Sequence, residues 1–123
     1  MRYALHVAVL SLLMSLPAQA YEVETGPVML CDTRQQAERF VQHFAGNQEA
    51  AIGAVNAEER NPSACAVVEV AYVRGEAVGI ERTLSHAFRI TPVAVVAMKT
   101  PVGFQQVAPV VFFTPVQVKE FAV

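Results

Sequence analysis

Tryptophan is absent from this 123-residue sequence, aspartate occurs once, at Asp32, and only 16% of the side chains are charged. Beyond residue 20, serine occurs only at Ser63 and Ser85, and histidine only at His43 and His86. A nucleophile–base–acid constellation has few residues to draw on. Cys31 and Cys65 are the only cysteines, and no C-x-x-C spacing joins them, which argues against a thiol redox pair. His, Cys and acidic residues nowhere take the local spacing of a zinc site, so no metal is expected. Gly75 and Gly79 suit a turn and a strand rather than a phosphate-cradling loop, and no cofactor is implied. Residues 21–123 carry eight basic and eleven acidic side chains without a basic run, so the electrostatic footprint of a nucleic-acid binder is missing. After residue 20 no apolar run approaches the ~18 residues of a membrane-spanning helix.

What is present begins with an export pattern. Residues 1–20 read MRYALHVAVLSLLMSLPAQA. Arg2 supplies a positive start, Ala4 to Leu16 an apolar stretch, Pro17 a break and Ala18-Gln19-Ala20 a small-x-small cleavage signature. The 13 residues of the apolar stretch would span only about 20 Å as a helix, short of a ~30 Å hydrocarbon core. A cleaved signal peptide (1–20) and one domain (21–123), periplasmic or secreted, are therefore expected. In an oxidising compartment, Cys31 and Cys65 are expected to form a disulfide closing a loop of 33 intervening residues.

Hydrophobe type divides the domain. Six alanines fall between Ala37 and Ala57, whereas 15 valines follow Ala66. Alanine favours helix, and stiff β-branched valine suits a pleated surface. Val28 to Cys31 reads as a first strand. Asp32 with Gln35 forms a capping-box pattern that predicts a helix over Thr33–Ala45. Ala37, Phe40, Val41 and Phe44 make one apolar stripe at helical spacing. Gly46 suits a helix stop, and Asn47 predicts the cap of a second helix over Gln48–Glu59, ended by Asn61-Pro62.

From Ala64 the period changes to two. Ala66, Val68, Val70 and Tyr72 share one strand face; Cys65, Val67, Ala71 and Val73 share the other. Arg74-Gly75-Glu76 turns the chain into Val78–Arg82. Thr91-Pro92, Ala108-Pro109 and Thr114-Pro115 are read as strand breaks, Pro101-Val102-Gly103 as a hairpin tip and Val116–Phe121 as a last strand. The expected fold is α+β: a small antiparallel, β-barrel-like sheet of five or six strands, SH3-like by strand number, with a helical hairpin inserted after the first strand. An open antiparallel sheet with both helices on one face is the alternative.

Chemistry is sparse. Ser85-His86 could act as nucleophile and base only on a loop, since strand neighbours point to opposite faces. A small periplasmic hydrolase using Ser85, His86 or a glutamate is the alternative function. Arg and aromatic side chains are enriched at binding hot spots, which makes Tyr72, Arg74, Arg82 and Phe104 candidate binding residues. The leading expectation is a non-catalytic exported binding or accessory module of the cell envelope, engaging an envelope protein or a peptide; a purely structural accessory or stress protein is a third reading. The signal segment, GPVMLCDT before a helix, SACAVVEVAYVRG and the closing VQVKEFAV resemble those of small exported proteins of Gram-negative bacteria with no known activity. The resemblance implies export and supplies no substrate or catalytic residue.

Overall fold

The computed structural model describes residues 21–119, so the signal segment and the last four residues lie outside the described part. The fold is α+β. Strand β1 (Val23–Cys31) leads into helices α1 (Arg34–His43) and α2 (Gln48–Glu59). Strands β2 (Cys65–Arg74), β3 (Gly79–Arg82), β4 (Ala87–Thr100) and β5 (Gly103–Gln117) follow. They form one five-stranded antiparallel sheet in the order β2-β1-β5-β4-β3, with a further pairing of β2 to β4. The helical hairpin therefore follows the first strand, as the alanine-to-valine shift implies.

β1 and β2 pair in unbroken register from Val23↔Val73 to Cys31↔Cys65. The last pair is covalent: Cys31 and Cys65 form a disulfide at the base of the helical hairpin, with Cα atoms 4.0 Å apart. The Asp32 amide donates to the Ala64 carbonyl at 2.9 Å, carrying the strand geometry one residue beyond the bridge. For this reason α1 is capped by Thr33 and not by Asp32. Thr33 Oγ1 accepts from the Gln36 amide at 3.1 Å, and Gln36 Oε1 accepts from the Thr33 amide at 3.0 Å. The capping box is real but one residue later than Asp32/Gln35. α2 begins as expected, with Asn47 Oδ1 accepting from the Ala50 amide at 3.0 Å.

Two apolar clusters lie on the two faces of the sheet. Ala37, Phe40 and Val41 of α1 and Ala51 and Val55 of α2 pack on Met29, Cys31, Cys65, Phe88 and Ile90. The second cluster holds Leu30, Val70, Tyr72, Val93 and Val95, with Val28, Val68, Val107 and Phe112 packed against it. Strand alternation explains the division: Leu30 points away from the face that Met29 and Cys31 share.

Pro101 lies in the hairpin tip between β4 and β5 as expected, but the prolines at 92, 109 and 115 do not end strands. β4 runs continuously through Thr91-Pro92, since it pairs with β3 up to Ile90 and with β2 from Val93. Pro92 thus stands at the change of partner, where its missing amide matters least, and its carbonyl accepts from Gly75 at 2.8 Å. β5 likewise runs through Ala108-Pro109 and Thr114-Pro115 to Gln117, so no separate last strand exists among the described residues. Around Pro109 the register slips, from Val95↔Val110 to Ala97↔Gln106, as a bulge requires. No helix among the described residues is long and apolar enough to cross a membrane, a statement that covers helices alone.

Candidate functional site

The four side chains singled out by the sequence occupy three separate places. Tyr72 is buried in the second apolar cluster. Its hydroxyl donates to Glu24 Oε1 at 3.3 Å, and Arg74 Nη2 donates to the same oxygen at 3.1 Å. These two residues tie β2 to β1 and present no open aromatic surface. Phe104 is 43% exposed, with Lys99 Nζ 5.5 Å from its ring centre; that ammonium also pairs with Glu69 at 3.6 Å. Arg82 is exposed at the end of β3, beside the turn into β4.

That turn holds Ser85 and His86, and Thr83 organises it. The Thr83 amide donates to the His86 carbonyl at 2.8 Å, and Thr83 Oγ1 accepts from the amides of Ser85 and His86 at 3.3 and 3.0 Å. The His86 ring packs edge-on against Phe44, with centroids 4.9 Å apart. Its Nδ1 is buried and has no hydrogen-bond partner among the described residues. Ser85 is exposed, and no hydrogen bond joins it to His86 among the described residues. The turn brings the two backbones to Thr83 rather than their side chains to each other. No group of three His, Cys, Asp or Glu side chains among the described residues could hold a metal ion.

The helical hairpin carries a polar network that single-sequence reasoning missed. Arg39 grips Glu58 with two nitrogens, Nε at 3.2 Å and Nη2 at 2.7 Å, while His43 Nε2 lies 2.7 Å from Glu58 Oε2. Gln36 donates to Glu59 at 2.8 Å, and Gln42 donates to Glu81 of β3 at 2.6 Å. Only the i, i+4 spacing of Arg39 and His43 is visible in the sequence; their shared partner comes from α2. The hydrogen bond from Arg39, and then that from His43, hold the Glu58 carboxyl down at about 2, from an ordinary 4.5. A depressed carboxyl stabilises the fold above its unfolded value and loses that contribution as pH falls through its folded value. Glu58→Gln should therefore flatten the fall in stability between pH 4.5 and about 2, measured as the urea midpoint against pH. Because the network is solvent-exposed, 1 M salt should shrink the difference between the two proteins. A wild-type acid limb unchanged by the substitution would show that the network contributes nothing.

The concave feature with the most distinct chemistry lies on the other face of the sheet. Leu30, Val68, Val70, Val95 and Phe112 line a cleft of about 250 Å³, with Ala66, Met98, Asp32 and Ser63 completing its wall. Leu30, Val70 and Val95 are buried, whereas Asp32, Ser63 and Met98 are exposed and form its rim. The row Ala66, Val68, Val70 on β2 carries nothing larger than valine, so the second cluster does not fill the space beneath it. Beside the cleft, β5 belongs to a stretch from Thr100 to Val118 without a charged side chain. Among the described residues its edge away from β4 is paired only at Cys31↔Phe113. Val110 and Val111 stand 48% and 54% exposed on it. Charge on an edge strand discourages pairing with other chains, and here that protection is limited to Pro109 and its bulge. No family model, curated protein or solved structure matches this chain.

Proposed function

We propose that this protein is a non-catalytic exported binding module of the cell envelope, periplasmic or secreted, and that it receives a protein or peptide at the cleft between β2, β4 and β5. One observation carries the reading. The cleft is almost wholly apolar, opens to solvent at Met98, and lies beside an uncharged, largely unpaired strand edge. Such a hollow suits an apolar anchor, and the neighbouring edge offers backbone groups to an extended segment. The double pairing of β2, with β1 and β4, supports a barrel-like reading in which the cleft is an open end. An SH3-like architecture has only the strand number behind it. The Cys31–Cys65 bridge, with no free cysteine among the described residues, supports export to an oxidising compartment.

Ala66→Phe projects a large ring into the cleft from its half-buried wall and obstructs it. Crosslinking capture from intact cell envelope, with the tagged wild type and this variant side by side, tests the reading. A dominant partner should be held by the wild type and weakened roughly 30-fold by the substitution, as for loss of a hot-spot anchor. The variant's unfolding midpoint must match the wild type's. Equal capture by both proteins would sink the proposal.

A further inference from the structure

We infer that the segment received by the cleft carries a basic residue directly beside its apolar anchor, and that Asp32 reads that charge. The inference rests on the binding reading above and names the chemistry of its partner. Size is the first observation. At about 250 Å³, the cleft falls below the ~300–1,000 Å³ of pockets that enclose whole small molecules. It takes a bulky apolar group of a segment whose remainder lies outside, along the neighbouring strand edge.

Charge is the second. Asp32 stands exposed on the rim, and its carboxylate makes no hydrogen bond or ion pair among the described residues. Its backbone amide is held by Ala64, so the residue is fixed in place while its side chain stays open to a partner. Ser63, the other polar rim residue, already directs its hydroxyl to Asn61 Oδ1 at 3.0 Å. Among the described residues no Lys or Arg lines the cleft. The nearby ammonium of Lys99, next to Met98 in sequence, is engaged by Glu69 and lies over Phe104. A cation beside the anchor therefore meets an unopposed carboxylate. An acidic neighbour would meet a like charge, which selects against it.

Fluorescence anisotropy with the purified, disulfide-bonded protein tests this. The probes are short labelled peptides with one central leucine flanked by lysine, by glutamine or by glutamate. The lysine peptide should bind about tenfold more tightly than the glutamate peptide at low salt, with glutamine between them. The discrimination should shrink in 0.5 M salt. Asp32→Asn keeps the backbone bond to Ala64 and should bring the three affinities within about twofold of one another. Equal binding of all three peptides by the wild type, abolished by Ala66→Phe, would overturn the charge assignment and leave the cleft reading standing. A lysine preference that survives Asp32→Asn would also overturn it. Failure of every peptide to bind would overturn both.

Discussion

Replacing Cys31 and Cys65 together by alanine should lower the stability of the fold by about 4 kcal/mol. The bridge closes a loop of 33 intervening residues, and constraint of the unfolded chain grows with loop length. Both residues are fully buried within the cluster that seats the helices, so the substitution also leaves a small void there. At about 4–8 °C per kcal/mol for a domain of this size, the melting temperature should fall by roughly 15–30 °C. Thermal unfolding followed by circular dichroism, for the variant and for wild type with and without reductant, measures it. The β1–β2 register continues as far as Val23↔Val73 without the bridge. The loss should therefore appear as lower stability of the same fold, with no rearrangement of the sheet. A shift of less than about 3 °C would mean that the unfolded chain already keeps the two cysteines close, removing the entropic advantage.

The local part of this fold was legible in the sequence because its causes are local. Ala37, Phe40, Val41 and Phe44 repeat at helical spacing, and the first three are buried while Phe44 packs at the edge of the cluster. Asn47 caps α2 because an Asn before an alanine-rich run has that one competing use of its side chain. The errors arise where a distant segment decides. Asp32 and Thr33 are both good caps; the tie goes to Thr33 because Cys65 and Ala64 hold the preceding residue in strand geometry. Pro92 and Pro115 look like strand breaks until the partners of β4 and β5 are known. Nothing along the chain marks the partners of Glu58, because Arg39 and His43 are brought to it from α1. Tyr72 offers the composition of a binding residue, yet strand alternation places it beside Val70 in the interior. The cleft was the least legible feature. It is a space left over where Ala66, Val68 and Val70 stop short of Phe112, and no pattern in one strand records the volume between three.

Phe40→Ala should cost about 3–5 kcal/mol, the range for truncating a fully buried phenylalanine. Phe40 is 2% exposed. Its ring meets Phe44 of the same helical stripe at 5.7 Å and Phe88 of β4 edge-on at 6.1 Å. One side chain thus joins α1 to the sheet, and its removal opens a cavity that the bridged backbone cannot fully close. Phe40→Leu should cost less than half as much, because most of the volume is kept. Urea unfolding measures both, with the midpoint falling and the slope unchanged if the native fold is retained. Phe40, Cys31 and Cys65 share one cluster, so the two losses should not add simply. Their combination still approaches the whole stability of a domain, about 5–15 kcal/mol, and the reduced variant should be substantially unfolded at 25 °C. With the bridge intact, the substitution separates stability from recognition. The cleft belongs to the cluster on the opposite face, formed by Leu30, Val70 and Val95, and Phe40 has no part in its wall. Peptide affinity measured well below the melting temperature should therefore stay within about twofold of wild type, since only the folded fraction binds. A loss of affinity parallel to the loss of stability would mean that the two faces of the sheet are coupled.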